Sequence, residues 1–435
     1  MQAMIFALKN LVMAWLFVLL IMPHRCWSKV MTLIKTDNPD QCISCNICLT
    51  ACPVAKATLR YRGPKLTGPA LSRLRKLVDD EDNMLKYCSN CKNCERVCPS
   101  GTPIASLNMK ARANYFKTHK HDLADHILSN NEFIGKTLTK IPFLPMIANQ
   151  TMHIGQKLKA LDIVGLSSKA PLPQYAKEDF YSIYKKYQQP ACEKKVLFYP
   201  GCYVNYNEPQ IGIDLIKVFN HQGIEVVVDP NFKCCGSPLI STGFLDKVEN
   251  LAKHNTKLLK SYAEKGFDII TTCTTCALIL KQEYRELFNL DETVKSYAPR
   301  LYDALEYLCL LDEEGKLKQD FKPLDQEVIY HTPCHLKVQG YGRPVFKLLP
   351  KIPGLSIEDA NAGCCGLSGV YGYKKETSKI ARIVGSELKA KIRNSKASLG
   401  ICECNICRLQ MQNGTGKKAV HPLRLICKSY FPSDK

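Results

Sequence analysis

The chain has 435 residues, 46% of them hydrophobic, which is enough for two or three domains with cores of their own. Its 60 Lys and Arg against 40 Asp and Glu give a net charge of +20, and 23 residues are cysteine. The positive charge has three open explanations: a solvated exterior, an anionic membrane surface, or nucleic acid. No helix-turn-helix, zinc-finger or aromatic RNA-binding signature accompanies the charge, which argues against nucleic acid.

Residues 1–36 are interpreted as an N-terminal extension. Residues 11–22 form an apolar run of 12 residues, which is short for a membrane span of about 20. No small-residue cleavage site follows it, which argues against a secretory signal. The sequence from Met31 runs directly into the first cysteine motif, so Met31 is expected to be the true start. A membrane anchor and a targeting signal are the alternatives.

Eighteen of the 23 cysteines fall into four ordered sets. Two sets, at residues 42–53 and 88–99, read C-x2-C-x2-C-x3-C-P, a run typical of [4Fe–4S] clusters. The odd cysteine number and the C-x-x-C spacing argue against a secreted disulfide framework. Zinc takes paired C-x-x-C ligands four at a time and would not explain two identical runs closed by proline.

In two-cluster ferredoxins the fourth cysteine of each run ligates the other cluster. The predicted ligands are therefore Cys42, Cys45, Cys48 and Cys98 for one cluster and Cys88, Cys91, Cys94 and Cys52 for the second. Helical periodicity at residues 71–80 and 103–115, with no alternating strand pattern, predicts an all-helical ferredoxin domain at residues 37–118.

Residues 119–190 are predicted to be a helical connector and linker. Residues 133–165 mix apolar and lysine positions at helical spacing, interrupted by Pro142 and Pro145. Such a segment suits a membrane surface or a partner protein. The alternative is a helix packed between domains. Residues 171–190 are interpreted as a linker.

An internal repeat fills the remainder of the chain. Five cysteines recur at offsets of 130 to 132 residues, which indicates duplication. The first site has Cys202, Cys234, Cys235, Cys273 and Cys276, and the second has Cys334, Cys364, Cys365, Cys404 and Cys407.

Short apolar strands precede the first cysteine and the C-x-x-C of each copy, and residues 224–228 form a further strand in the first copy. Strands alternating with helices predict parallel α/β sheets that gather ligands at the carboxyl ends of their strands. The fold class is therefore a multidomain α+β protein, with the helical ferredoxin followed by duplicated α/β domains at residues 191–310 and 311–435.

The C…CCG…C-x-x-C pattern, present twice, resembles the CCG or cysteine-rich domain family. That family includes the catalytic subunit of heterodisulfide reductase and the iron–sulfur subunits of glycolate and lactate oxidation systems. Its members can bind a non-cubane iron–sulfur assembly through five cysteines, which implies one or two further clusters here. The whole arrangement, with residues 61–75, 196–207, 332–342 and 362–374, is similar to the family of C-type subunits of anaerobic glycerol-3-phosphate dehydrogenases.

That resemblance implies an electron-transfer subunit with no catalytic residue of its own. A flavoprotein partner with A-type and B-type subunits would oxidise glycerol 3-phosphate to dihydroxyacetone phosphate, and the electrons would pass through this chain to menaquinone. The expected location is peripheral, on the cytoplasmic face of the inner membrane, with no nucleic acid bound. Two alternatives stay open: a glycolate or lactate oxidation subunit, and an enzyme whose cysteine-rich site itself reduces a disulfide or quinone.

Five cysteines lie outside these sets, and two of the ten histidines lie close to Cys334 in the sequence. His331 and His335 flank Cys334, where they pack, hydrogen-bond to sulfur or bind a cluster. The five cysteines are Cys26, Cys192, Cys309, Cys402 and Cys427. Cys402 and Cys192 lie near cluster regions, but they are expected to act as small buried hydrophobic residues.

Overall fold

The computed structural model describes residues 38–75 and 84–432. The N-terminal extension, its apolar run, Met31 and Cys26 lie outside these residues, as does the second half of the helix predicted at residues 71–80. Within the described ranges, no helix is both long and apolar enough to cross a bilayer.

The ferredoxin region is built from short helices around the two cysteine motifs, and its described residues contain no strand, as predicted. Its longest helix starts one residue after Pro103 and extends three residues beyond the predicted end. The helices are α1 (Ile47–Ala51), α2 (Pro53–Ala57), α3 (Leu71–Leu74), α4 (Asn93–Arg96) and α5 (Ile104–Thr118), with 3-10 turns at Pro39–Gln41 and Leu85–Tyr87 and a π turn at Leu66–Ala70.

The connector contains four α-helices and one 3-10 turn. Pro145 lies in the first turn of the helix that starts at Leu144. A proline is tolerated there because the first N–H groups of a helix have no partner within the helix. The linker interpretation of residues 171–190 is wrong in part, because Asp179 caps a helix whose Phe180 packs edge-on against Phe198 in the sheet at 5.6 Å. The helices are α6 (Leu123–Ser129), α7 (Asn131–Lys140), α8 (Leu144–Lys157) and α9 (Phe180–Lys186), with a 3-10 turn at Ala160–Val164.

Two four-stranded parallel sheets follow, with orders β2-β1-β3-β4 and β6-β5-β7-β8. Their registers are equivalent: Val196 pairs with Val226 and Val328 with Ile357. The second copy therefore also contains the strand that the sequence indicated clearly only in the first. The strands are β1 (Lys194–Phe198), β2 (Ile224–Val228), β3 (Asp268–Thr271), β4 (Leu301–Asp303), β5 (Gln326–Tyr330), β6 (Leu355–Asp359), β7 (Leu399–Ile401) and β8 (Lys418–Val420).

Helices cover these sheets and join the two copies through one hydrophobic core. The helix at Pro209–His221 packs on the helix at Pro422–Tyr430, and Arg424 donates to Asp214 Oδ1 at 2.8 Å between them. The expected domain boundary between residues 310 and 311 falls inside the helix at Ala304–Glu313. The helices of the first copy are α10 (Gly201–Tyr206), α11 (Pro209–His221), α12 (Ser237–Thr242), α13 (Leu245–Glu264), α14 (Thr274–Leu278), α15 (Tyr284–Phe288), α16 (Asp291–Tyr297) and α17 (Ala304–Glu313).

The second copy is completed by α18 (Cys334–Gln339), α19 (Val345–Leu348), α20 (Lys375–Val384), α21 (Ser386–Asn394), α22 (Asn405–Gln412) and α23 (Pro422–Tyr430). A π turn at Ile279–Glu283 links α14 to α15, and 3-10 turns lie at Ala298–Arg300, Leu349–Lys351 and Tyr371–Tyr373.

Candidate iron–sulfur sites

The two ferredoxin motifs fold their backbones in the same way. Ser44 and Asn46 in the first motif, and Asn90 and Lys92 at the equivalent positions of the second, have φ values of 52° to 64°. Non-glycine residues seldom adopt this left-handed conformation. Alternation of right- and left-handed residues turns successive backbone N–H groups toward a common centre and forms an anion-binding concavity. Both motifs therefore have the backbone shape that a negatively charged cluster requires.

The cysteines of these motifs gather in the two predicted groups. Cys42, Cys45, Cys48 and Cys98 line one cavity, to which Cys98 comes from the second motif. In the other group, burial raises the pKa of Cys94. The negative charge of Glu95 raises this pKa further, and the charges of Cys91, Cys88 and Cys52 add smaller increases. Each group thus contains three cysteines of one motif and the last cysteine of the other.

The crossed ligand sets predict which variant removes which cluster. We expect Cys98→Ala to remove the cluster held with Cys42, and Cys52→Ala to remove the one held with Cys88, each lowering bound iron by about four atoms. Anaerobic iron analysis and EPR of the dithionite-reduced chain measure this. Cys309→Ala, a buried cysteine outside the sets, is the control and leaves both signals. Loss of the opposite cluster would show that the ligands do not cross.

Each cysteine-rich site requires the glycine of its C-C-G motif. Gly236 and Gly366 have φ of +86° and +88°, and their N–H groups donate to Cys234 and Cys364 Sγ at 3.4 Å. A Cβ on Gly366 would lie 2.1 Å from the carbonyl oxygen of Ala381. Glycine is therefore needed for both backbone conformation and space.

The thiols of each copy converge beyond the carboxyl ends of its strands. Cys202 and Cys234 approach to 3.5 Å and Cys235 and Cys276 to 3.4 Å in the first copy. The Cys365–Cys407 pair of the second copy is 3.2 Å apart. Hydrogen bonds from the Cys234 and Cys276 thiols lower the pKa of Cys235 to about 6.

In the second copy the other cysteine of the C-C pair has the lowered pKa. Hydrogen bonds from Cys334 and Cys365 hold the pKa of Cys364 well below its usual value. The pKa values of Cys273 and Cys404 are lowered as well, so each site has two sulfurs that favour the thiolate form that binds iron. Among the described residues, no three His, Cys, Asp or Glu side chains surround a position for a single metal ion.

A buried histidine tests whether the second site fits a bound group. His331 is 1% exposed, and neither of its ring nitrogens has a hydrogen-bond partner. Burial lowers the pKa of His331 to about 4, so the ring is neutral and retains one N–H donor. Its counterpart in the first copy, Tyr199, donates to the carbonyl of Lys233 at 2.7 Å. An unpartnered buried donor beside the thiols fits a cluster with sulfur acceptors in the second site.

His335 has a different environment. Its Nδ1 lies 2.9 Å from Thr275 Oγ1 and its Nε2 lies 3.1 Å from the carbonyl oxygen of Asn90. It therefore joins the second ferredoxin motif and both copies, in the packing role considered for it in the sequence. Cys402 is buried, as expected, but Cys192 is partly exposed, so the expectation of a buried residue is wrong there. Cys309 and Cys427 are buried as well.

Sequence reasoning missed a buried charge network beside the second ferredoxin motif. Lys92 is fully buried, and its Nζ lies 2.6 Å from Glu286, 3.1 Å from Glu95 and 3.7 Å from Glu283. Burial alone would lower the pKa of Lys92, but these carboxylates outweigh it and raise the pKa well above its usual value. Because the glutamates lie up to 194 residues from Lys92, no sequence spacing could indicate the network.

Two asparagines outside the cysteine-rich domains were also missed. Asn93 Nδ2 lies 3.5 Å from Cys334 Sγ, and Asn131 Nδ2 lies 3.2 Å from Cys202 Sγ. Asn93 lies inside a recognised motif, but nothing in the sequence marks Asn131.

Each of the four thiol groups lies near at least one other group. Cys48 of the first ferredoxin group adds to the raised pKa of Cys52 in the second group. Burial raises the pKa of Cys91 well above its usual value, and the neighbouring charge that adds most is Cys364 of the second copy. A hydrogen bond from Cys276 lowers the pKa of Cys273, while Cys404 of the second copy opposes that shift. The thiols of the second copy therefore lie near both the second ferredoxin group and the thiols of the first copy.

Known proteins share this architecture. A 4Fe-4S dicluster domain matches residues 38–102, and a cysteine-rich domain matches residues 196–281 and 328–412. The chain is 37% identical to the C-type subunit of the anaerobic glycerol-3-phosphate dehydrogenase of Escherichia coli, over 90% of this chain and 98% of that protein. It is 27% identical to the B-type subunit of the fumarate reductase (CoM/CoB) of Methanothermobacter marburgensis, over 88% and 70% of the two chains.

A probable glycolate oxidase iron-sulfur subunit of Bacillus subtilis is 24% identical, over 89% of this chain and 93% of that protein. These matches and the grouped thiols define an iron–sulfur protein that joins a dicluster ferredoxin to two cysteine-rich domains. Within that class, the chain belongs to the family of C-type subunits of anaerobic glycerol-3-phosphate dehydrogenases.

Proposed function

We propose that this chain is the electron-transfer and membrane-docking subunit of an anaerobic glycerol-3-phosphate dehydrogenase. It takes electrons from a flavoprotein partner with A-type and B-type subunits and passes them to menaquinone in anaerobic respiration. It sits peripherally on the cytoplasmic face of the inner membrane. The observation that carries this proposal is that neighbouring thiol groups influence each other's pKa in an unbroken series, from the first ferredoxin group through the second group and the second cysteine-rich site to the first.

The ligands are those predicted from the sequence. Two [4Fe–4S] clusters are held by the crossed ferredoxin sets, and one or two non-cubane clusters by the five-cysteine sets. When bound, such clusters supply one-electron transfer. The chain's contribution is to hold the thiols, shield them from water and donate hydrogen bonds to sulfur.

A surface for the membrane is available on the connector. Seven of the fifteen large apolar side chains that are exposed in the described residues lie between positions 133 and 158. We call them the α7–α8 face: Phe133, Ile141, Phe143, Met146, Ile147, Ile154 and Leu158. Those on α8 recur at helical spacing on its solvent side.

The charge around the α7–α8 face is positive. Residues 133–160 include four lysines, all exposed, and no Asp or Glu. Phe143 at the turn between the helices is 76% exposed. Apolar side chains interspersed with lysines suit the interface of an anionic bilayer, where the lysines meet the phosphates and the apolar groups leave water.

The test is glycerol-3-phosphate-dependent menaquinone reduction in anaerobic membrane vesicles from cells with and without this chain. We expect its loss to abolish reduction and to release the flavoprotein to the soluble fraction. Phe143→Glu with Ile147→Glu should release the complex similarly. The matched control is Leu59→Glu, because Leu59 is 99% exposed outside the α7–α8 face. An unchanged rate without the chain would contradict the proposal, and parallel assays with glycolate and lactate test that alternative.

One observation favours a second function, an enzyme in its own right. A cavity of about 310 Å³ lies beside the second cysteine-rich site, between Thr332 and Ala362. Its lining includes Arg96, Lys337 and Arg343, although Arg343 is paired with Asp359. Such a cavity suits a small anionic substrate. Turnover of a disulfide or quinone by the isolated loaded chain would support this function.

A further inference from the structure

The two cysteine-rich sites are equivalent in fold but have different neighbours. In each copy, the first cysteine receives a hydrogen bond from an asparagine that lies outside the cysteine-rich domain. At Cys334 the donor is Asn93, which lies between two cysteines of the second ferredoxin motif. At Cys202 the donor is Asn131, the first residue of α7. The ferredoxin thus contacts the second site at the position where the connector contacts the first.

α7 is held closely against the first site. Glu132 accepts a hydrogen bond from the backbone N–H of Cys234 at 3.1 Å. One turn further, Gly135 lies so close to Tyr206 of α10 that a Cβ would come within 2.6 Å of the ring. α10 is the helix that carries Cys202. The inner side of α7 therefore contacts two of the cysteines and one of the helices that form the first site.

The outer side of the same helix belongs to the α7–α8 face. Phe133 is 71% exposed, and Lys136 and Lys140 are exposed beside it. A single layer of helix consequently separates the first site from the surface proposed for the membrane. The second site has the ferredoxin in the equivalent place, through the contact of α4 with α18.

We propose that the first cysteine-rich site is the membrane-side site, that the second is the ferredoxin-side site, and that Asn131 positions the docking helix on the first. This deepens the proposed function by ordering its sites. With clusters bound, the second site would take electrons from the ferredoxin, and the first site would pass them to a lipid-soluble quinone. Each transfer moves one electron and breaks no bond. The quinone takes up two electrons, supplied by the substrate oxidised on the flavoprotein, and two protons from water to form the quinol.

Asparagine N–H donors also give each site a measurable signature. A hydrogen bond to sulfur stabilises the more negative, reduced state and raises the reduction potential. Asn131→Leu removes the donor at nearly constant volume, so we expect the midpoint potential of the first site to fall. Asn93→Leu is the matched variant and should lower the midpoint of the second site. EPR-monitored titration of the loaded full chain assigns one signal to each site in this way.

The position of each site is then measured on vesicles of phosphatidylcholine and phosphatidylglycerol that carry a gadolinium chelate on a lipid headgroup. Gadolinium shortens the spin relaxation of nearby paramagnetic centres. We expect the signal moved by Asn131→Leu to relax faster on these vesicles, and the signal moved by Asn93→Leu to change much less.

The outcomes separate this inference from the proposed function. Equal relaxation of the two signals, or faster relaxation of the signal moved by Asn93→Leu, overturns the order of the sites while membrane docking stands. A midpoint unaffected by Asn131→Leu overturns its positioning role. A chain that does not sediment with the vesicles overturns the docking part of the proposed function, and the membrane-side assignment falls with it.

Discussion

Gly366→Ala is expected to abolish the second cysteine-rich site while the two ferredoxin signals remain. The added Cβ would lie 2.1 Å from the carbonyl oxygen of Ala381 and 3.0 Å from the backbone N of Gly385. Both are main-chain atoms at α20, which no side-chain rotation can move aside. The backbone must shift, and Cys364 and Cys365 are its immediate neighbours. We expect a loss of stability of about 4 kcal/mol or more, measured by urea unfolding, together with loss of the site's iron.

A matched glycine separates the clash from the cost of the backbone conformation. Gly414 also has a positive φ, +72°, but a Cβ there would meet nothing within 4 Å. Gly414→Ala should therefore cost only about 1 kcal/mol and leave all bound iron in place. If Gly366→Ala behaves like Gly414→Ala, the C-C-G glycine is not the steric requirement that the structure indicates.

Lys92→Met is the second change with a large expected effect. It would leave Glu95, Glu283 and Glu286 buried around an apolar side chain and remove the positive charge that lies 2.6 to 3.7 Å from all three carboxylates. Removing one partner from a buried ion pair typically costs about 3–5 kcal/mol, because the remaining charge stays desolvated. We expect a corresponding fall in the urea concentration at the midpoint of unfolding, measured under anaerobic conditions. We also expect the ferredoxin to be held less firmly, which faster proteolysis of this domain would report.

The control is a surface lysine in an ion pair. Lys253 contacts Glu249 at 2.7 Å, and both side chains are exposed, so Lys253→Met should change stability by about 0.5 kcal/mol at most. Combining Lys92→Met with Glu286→Gln should recover part of the lost stability, since one buried charge disappears. A Lys92→Met chain as stable as the Lys253→Met chain would show that the network does not hold the ferredoxin in place.

Local sequence constraints made the cysteine chemistry predictable. The C-x2-C-x2-C spacing imposes the same left-handed turns at Asn46 and Lys92, and C-C-G requires the positive φ of Gly236. Each feature depends only on residues a few positions apart, so it can be recognised in the amino-acid sequence. The constant offset between the copies likewise predicted two equivalent sheets.

Two elements escaped prediction because their local patterns are weak. β6 is an edge strand with alternating half-exposed positions and lacks the continuous apolar run of a buried strand. α9 lies in a polar stretch flanked by prolines, and it is stabilised by burial of Phe180 against the sheet. In both cases packing, rather than local composition, determines the structure.

The sequence by itself therefore determined the composition of the cysteine sets, the helical ferredoxin and the duplicated parallel sheets. Only the tertiary structure decided that Lys92 is neutralised by glutamates of the first copy, that Asn93 reaches Cys334 and that Asn131 reaches Cys202. The physical reason is the distance along the chain between the residues that make contact. Spacing encodes contacts within one turn or one motif, whereas these contacts join residues 71 to 241 positions apart and exist only once the domains have packed.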